Sequence, residues 1–419
     1  MVFRASSPHV RVGTPFAVRP AMQTPASSDR RGRPHLLDAS MFRTAEGGGG
    51  VHRVLGAKRE GLLARGWRHS VLAPGATGAD EIDCSGVPIP ASGGYRFVLR
   101  RRHAARLIEA AEPDIVEAAD PYVLGWAVLD ATARLNVPSV AFCHSDLPTL
   151  MKRLVGGPAA TARGRWAEGH AADYLCRLYG RFDLVLAPSR AMTRRLHALG
   201  ISHAQHQPLG VDCAAFTPAA NSPRWHERLA AGLGLAPGTR LLVYTGRFAP
   251  EKNLELLADA VRRLGPGHAL VAMGSGPRPP QGTHVRLLPA SSDTRRIARL
   301  LASADAFVHA GDQETFGLSA LEAMACGTPV VVHAAGGLGE LATGVGLTVP
   351  SLRVEVWAEA MRAALEHGAS PLAWAGMARA RAHDWSLVLE QLTARYRLAI
   401  REHQRARGHG VLFAPPQPS

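Results

Sequence analysis

Short, almost wholly apolar segments alternate with amphipathic stretches along most of the chain, and this rhythm limits the available folds more than any other feature. Pro138-Ser-Val-Ala-Phe-Cys143 and Leu184-Val-Leu-Ala187 lie in the first half. Thr239-Arg-Leu-Leu-Val-Tyr-Thr245, Ala269-Leu-Val-Ala-Met273, Ala306-Phe-Val-His309 and Pro329-Val-Val-Val-His333 lie in the second. Strands that are apolar on both faces and separated by helices form parallel sheets covered on both sides. The fold class is therefore α/β. At 419 residues the chain exceeds what one compact core holds, so two domains are expected.

The rhythm breaks at Asn221-Ser-Pro223, which places the junction near residues 218 to 224. The first domain then spans 35–218 and the second 219–384, each a normal domain size. A helical pattern over 385–403 follows and is expected to pack back on the first domain. Residues 404–419, ending in Pro415-Pro-Gln-Pro, read as a disordered tail. Residues 1–34 carry Arg4, Arg11, Arg19, Arg30, Arg31 and Arg33 against Asp29 and lack periodicity, so they read as a disordered basic extension. Doubly wound halves bind ligands outside the carboxyl ends of their strands. The functional residues should therefore cluster there.

The net charge of +14 favours phosphates, acidic glycans, anionic lipid surfaces or nucleic acid without choosing among them. Cys84, Cys143, Cys176, Cys213 and Cys326 are scattered with no C-x-x-C pair, which suggests neither a disulfide framework nor zinc and fits a reducing cytoplasm. No apolar run reaches the roughly 18 residues needed to cross a bilayer. Membrane contact, if any, is expected to be peripheral, at the inner face of the plasma membrane.

Three strand ends carry residues suited to chemistry. After Leu241–Thr245 comes Gly246-Arg247-Phe-Ala-Pro-Glu-Lys252-Asn253, which puts two cations in a strand-to-helix loop. Arg grips phosphate bidentately and Lys supplies a compact charge, so the pair suits a departing diphosphate, although a solvated loop would look the same. After Ala306–His309 comes Glu314, and Glu322 lies eight positions on (322 − 314), inside a helix beginning near Gly317. Carboxylates accept hydrogen bonds from vicinal hydroxyls, so one can hold a sugar ring and the other a ribose. The backbone N–H groups of Phe316, Gly317 and Leu318 would face the ligand from the helix start. In the first half, Gly47-Gly-Gly49-Gly50-Val51 follows a strand over 35–41 and opens a helix reaching Arg65, either a phosphate cradle or a flexible turn.

Two further groups are weaker as residues alone. His144 follows the strand ending at Cys143, where a structural histidine is the commoner occupant. Arg100, Arg101, Arg102 and Arg106 cluster at the start of a helix, either a solvated face or a docking patch for acceptor or anionic membrane. The aromatic interleaving expected of a nucleic-acid surface is missing, so no nucleic-acid partner is expected.

Taken together these strings resemble glycosyltransferase family 4, the retaining family with the GT-B fold of two Rossmann-like domains facing across a deep cleft. Glu314 to Glu322, continuing to Val331, resembles its E-x7-E motif, and Thr245–Asn253 its diphosphate loop. Pro208-Leu-Gly-Val-Asp-Cys-Ala-Ala-Phe-Thr-Pro218 resembles its interdomain segment. Gly49-Gly50-Val51 and Ala187-Pro-Ser189 also match, while Met273-Gly-Ser-Gly-Pro277 through Pro289 departs from the usual pattern around the nucleobase.

The resemblance implies hexosyl transfer from a UDP- or GDP-sugar, with retained configuration, to a lipid, glycan or small-molecule acceptor. Arg247, Lys252, Glu314 and His144 would carry the reaction. The first two would stabilise the diphosphate, Glu314 would hold the donor sugar, and His144 would meet a sugar hydroxyl. Gly49, Gly50, Gly246, Phe316, Gly317, Leu318 and Glu322 would bind the donor, with Glu322 on the ribose. No cofactor is implied. No metal is expected either, because the two cations suffice for charge and no D-x-D motif occurs. Lys252→Ala and Glu314→Ala should each lose most activity with thermal stability nearly unchanged.

Other classes remain to be weighed. A nicotinamide oxidoreductase is disfavoured because Gly274-Ser-Gly276-Pro-Arg-Pro279 ends in proline where its fingerprint needs glycine. A nucleotide-sugar epimerase would act without an acceptor. A non-enzymatic basic scaffold for lipid or nucleic acid would bind with steep salt dependence and no preference among nucleotide sugars.

Overall fold

The apolar segments of the first half form strands because a covered parallel sheet buries both of their faces. In the computed structural model, which describes residues 32–42, 50–89, 95–157, 161–221, 223–366 and 371–408, these strands are β1 (His35–Ala39), β2 (Arg68–Ala73) and β3 (Glu81–Asp83), then β6 (Ile115–Ala118), β7 (Ser139–Phe142), β8 (Leu184–Ala187) and β9 (Ala204–His206). A small antiparallel pair, β4 (Val87–Pro88) and β5 (Arg96–Phe97), interrupts them. The seven long-sheet strands are ordered β3-β2-β1-β6-β7-β8-β9. Every pairing in this sheet is parallel.

The second half repeats the plan with β10 (Arg240–Thr245), β11 (His268–Gly274), β12 (Val285–Pro289), β13 (Ala306–His309), β14 (Val330–His333) and β15 (Leu347–Val349). Their order is β12-β11-β10-β13-β14-β15, again all parallel. In each sheet the order reverses beside the first strand, at β1/β6 and β10/β13. Those are the topological switch points where such folds bind ligands. Helices start where side chains cap them: Asp146 accepts the Thr149 N–H, Thr161 the Gly164 N–H and Ser189 the Met192 N–H.

The chain crosses between sheets twice, side by side. Val211 donates its N–H to the His383 carbonyl at 2.9 Å, and Trp385 donates to the Val211 carbonyl at 3.1 Å. Gly210 is required there, because an added Cβ would lie 2.6 Å from the Trp385 ring. From this crossing the last helix, Trp385–Gly408, lies against the helix Gly50–Ala64. Arg395 donates to Gln207 Oε1 and to the His206 carbonyl, both at 3.0 Å. The helix continues five residues past 403, so residues 404–408 are not tail. Glu402 to Arg407 contain good helix formers but no apolar residue except Ala406, so the hydrophobic periodicity ends before the helix does. The rest of that tail, residues 1–31 of the basic extension, and Gly47 to Gly49 lie outside the described residues.

A charged cluster is sealed beneath the helix Gly50–Ala64. Lys58, 2 % exposed, donates to Asp38 and Glu117 at 2.7 Å each. His69 contacts the second Asp38 oxygen at 2.6 Å, and Tyr396 from the last helix bonds the second Glu117 oxygen. Burial alone would lower the Lys58 pKa, but the two carboxylates raise it, so the ammonium stays charged. Burial pushes Glu117 up to about 7. The cluster ties β1, β6 and the last helix into one unit.

Candidate active site

The loop after β10 turns through a short 3-10 segment, Pro250–Lys252, that ends at Asn253 in the left-handed region. The Asn253 side chain holds this turn by donating to the Ala310 carbonyl at 2.9 Å, just past β13. The two loops are thereby fixed to each other, and Lys252 Nζ reaches Glu314 Oε1. His309 Nε2 stands 3.4 Å from the same oxygen. His309 Nδ1 accepts the Gly311 N–H at 3.1 Å, so in the neutral ring the proton sits on Nε2 and points at Glu314. Burial lowers the His309 pKa to about 4, which keeps that ring neutral at pH 7. Burial would raise the Glu314 pKa, but Lys252 and then His309 bring it down to about 2. Glu314 is an ionised, pre-oriented carboxylate. Arg247 pairs with Glu251 at 3.0 Å and is 57 % exposed, so it can swing toward a ligand.

Two helix starts converge on this site from opposite domains. Gly317 has φ +110° and opens the helix Leu318–Ala325; any other residue would be strained there, and its Cβ would lie 2.7 Å from Leu338. A Cβ on Gly50, which begins the helix Gly50–Ala64, would lie 3.1 Å from Leu318 Cδ1. Helix N-termini favour anions, so their meeting point suits a diphosphate. The Phe316 side chain is buried and lines a cavity of about 320 Å³ between the domains.

Glu322 is 5 % exposed. Arg53, from the first domain, pairs with its Oε1, while Oε2 is buried with no hydrogen-bond partner. Burial raises its pKa. Ser145 Oγ and Thr245 Oγ1, at the ends of β7 and β10, are likewise buried without partners. Buried polar atoms in this state are costly unless something completes them. Two of them at strand ends and one on the helix after β13 mark where polar ligand atoms belong.

The His144 ring is half-buried and stacks on Phe142 at 4.4 Å. Burial, with Lys58 adding, lowers its pKa to about 3, so it acts as a neutral hydrogen-bonding group. Its carbonyl accepts the Thr315 hydroxyl at 3.0 Å, which joins the β7 loop directly to the Glu314 loop. Arg153 grips Asp312 with two bonds, at 2.8 and 3.1 Å, beside that junction. Sequence patterns did not single out Arg53, Arg153, Asp312 or His309. Only His309 carried a signal, as the last residue of a strand leading into the Glu314 loop.

A further contact pins the domains together. The Glu340 carboxylate accepts the N–H groups of Arg190 at 2.9 Å and Ala191 at 2.6 Å, across the seam at the start of the helix Arg190–Ala198. The same segment supports Glu314, because Gly337 donates its N–H to the Glu314 carbonyl at 2.9 Å. A Cβ on Gly337 would lie 2.0 Å from the Thr315 oxygen, so no other residue fits. Glu340→Ala should raise the donor KM about tenfold, the worth of charge-assisted bonds of this kind, with kcat little changed. Steady-state kinetics check this, and small-angle scattering should show a larger radius of gyration. Glu340→Gln, which keeps an acceptor oxygen, should recover part of the loss.

Of the residues expected at the site, Gly50, Gly246, Arg247, Lys252, Glu314, Gly317, Leu318, Glu322 and the Phe316 backbone line strand ends or helix starts at the cleft, and His144 faces them from the first domain. Gly49 lies outside the described residues. The arginine cluster is not joined to the site by any described contact. Arg101 is committed to Asp130 at 2.5 and 2.6 Å and lies 5.2 Å over Trp126, while Arg100, Arg102 and Arg106 are exposed.

Two parallel-sheet domains whose switch points meet across an anion-favouring cleft form a GT-B glycosyltransferase. A sucrose-phosphate synthase from Thermosynechococcus elongatus has this fold, with TM-score 0.71 and 20 % identity, over 88 % of this chain and 100 % of that one. The chain belongs to glycosyltransferase family 4. Residues 48–215 match the family description "Glycosyltransferase Family 4" and residues 239–367 match "Glycosyl transferases group 1". A GDP-mannose-dependent alpha-mannosyltransferase of Mycobacterium tuberculosis is 31 % identical over 70 % of this chain and 74 % of its own. A GDP-mannose-dependent alpha-(1-6)-phosphatidylinositol dimannoside mannosyltransferase of the same species is 30 % identical over 75 % and 83 %. The protein is thus an enzyme that transfers a hexose from a nucleotide sugar.

Proposed function

We propose that the donor is GDP-mannose and that mannose passes, with retained configuration and without a metal, to a hydroxyl of a glycan or glycolipid headgroup. The orphaned Glu322 Oε2 supports the nucleotide-donor part of this reading most directly. A ribose diol would supply the hydrogen bonds it lacks, with Arg53 already seated on the other oxygen. GDP-mannose and the glycolipid acceptor are what the names of the two mycobacterial relatives carry.

In this scheme Lys252 leaves Glu314 for the diphosphate, joined by Arg247. Glu314 is then free to accept hydrogen bonds from the mannosyl hydroxyls, with neutral His309 still donating to it. The C1–O bond to phosphate breaks, a C1–O bond to the acceptor forms on the same face, and the acceptor proton passes to the departing phosphate oxygen. No protein nucleophile enters, and His144 meets a sugar hydroxyl from the opposite wall. Activity should survive EDTA.

A thermal-shift panel tests the donor. A ligand that binds only the folded state adds about 2.7 kcal/mol of stability at a hundred times its Kd. GDP-mannose should raise Tm more than GDP-glucose or any UDP- or ADP-sugar. A larger shift with a UDP-sugar would move the assignment to that donor.

A further inference from the structure

The helices Leu147–Gly156 and Ala162–Tyr179 leave the carboxyl end of β7 just after His144. They cross at two glycines. A Cβ on Gly156 would lie 2.7 Å from the Gly164 Cα, and one on Gly164 would lie 2.9 Å from the Lys152 carbonyl. The backbones touch there. Large side chains next to the crossing turn outward: Leu154 is 69 % exposed, Val155 45 % and Trp166 62 %. This places a tryptophan and two aliphatic side chains within two residues of one crossing point, next to Arg153, which contacts Asp312 of the second domain.

The charge around these side chains is one-sided. From Leu147 to His170 the chain carries Lys152, Arg153, Arg163 and Arg165 against the single acid Glu168. Lys152 pairs with Glu168 and Arg153 with Asp312, and the Arg163 and Arg165 side chains are exposed next to Trp166 in the chain. Exposed large apolar side chains grouped at one crossing point mark a candidate interaction site. A second copy of the chain is a poor occupant, because a two-fold interface brings each patch against itself and would set these arginines against their own kind. An anionic bilayer suits every component. Tryptophan prefers the headgroup level, aliphatic side chains enter the acyl boundary, and cations gain from the surface potential.

We propose that the helical hairpin bearing Leu154, Val155 and Trp166 is a docking surface for an anionic lipid bilayer. The first-domain wall of the cleft, from His144 to Asp146, then stands next to the membrane. The inference goes beyond the donor and does not depend on which sugar is transferred.

The test is co-sedimentation of the full chain, without nucleotide, with phosphatidylglycerol-containing vesicles and with pure phosphatidylcholine vesicles. The wild type should sediment with the anionic vesicles and remain in solution with the neutral ones. Leu154→Asp/Trp166→Asp should lose at least tenfold in partitioning with its melting temperature unchanged, since both side chains are exposed. Arg100→Glu/Arg102→Glu/Arg106→Glu, on the other exposed basic patch, should lose less than the hairpin variant. The proposal is overturned if the wild type ignores anionic vesicles, if the hairpin variant binds them normally, or if only the arginine variant loses binding. A vesicle-free dimer that the hairpin variant abolishes would also overturn it, in favour of a second copy. Transfer to a soluble acceptor is measured separately, so failure here leaves the donor assignment standing.

Discussion

Lys252→Ala and Glu314→Gln each reduce kcat about 10²- to 10³-fold, the usual cost of removing one pre-oriented charge or hydrogen-bonding group from a transition state. Lys252 meets the charge that builds on the departing diphosphate, and Glu314 holds the sugar that loses it. The two should not differ only in rate. In the structure they are paired, with side chains 14 % and 19 % exposed. Lys252→Ala therefore leaves an ionised Glu314 without its paired cation, beside His309 and the more distant Arg247, and lowers Tm, contrary to the unchanged stability that the motif alone suggests. Lys252→Met/Glu314→Gln removes both charges and should recover much of that stability but none of the activity. Turnover assays with thermal melts on the three variants check this, and a double variant as unstable as Lys252→Ala would contradict the pairing.

Lys58→Met lowers stability by about 3–5 kcal/mol, the cost of breaking a buried charge group by removing one partner. Without the ammonium, Asp38 and Glu117 face each other with no cation between them, in a site that excludes water. Tyr396 loses the setting of its bond to Glu117, so the last helix should loosen from the first sheet. Urea unfolding gives the size of the effect, and hydrogen exchange over Trp385–Gly408 gives its location. Lys58→Met/Asp38→Asn/Glu117→Gln, with no buried charge left, should be more stable than the single variant. A single variant within 1 kcal/mol of wild type, roughly the effect of an ordinary surface change, would show that the cluster is not sealed.

The strands and the second-domain half of the site were legible because their information is local. Apolar runs such as Pro329–His333 declare buried strands, and Glu314 to Glu322 carries a loop, a glycine turn and a helix in consecutive residues. Contacts between domains were not legible. Arg53 and Glu322 are 269 positions apart, Arg153 and Asp312 are 159 apart, and Glu340 reaches back 149 and 150 positions to a helix start. No spacing rule links such residues, because the folded arrangement of the two domains, not their order in the chain, brings their loops together. The buried cluster was hidden for another reason. Lys58 sits in an amphipathic helix where a lysine normally faces water, and its partners lie on strands whose apolar neighbours dominate the pattern.

The anomeric configuration of the product tests the central claim most directly, because it reports on donor, bond and face together. Proton NMR of the purified enzyme with GDP-α-mannose and a mannoside acceptor should show an α-mannosyl linkage forming as GDP appears, in the presence of EDTA, and no such signal with Glu314→Gln. A β-linked product, or GDP released with only free mannose and no linkage to acceptor, would contradict the account.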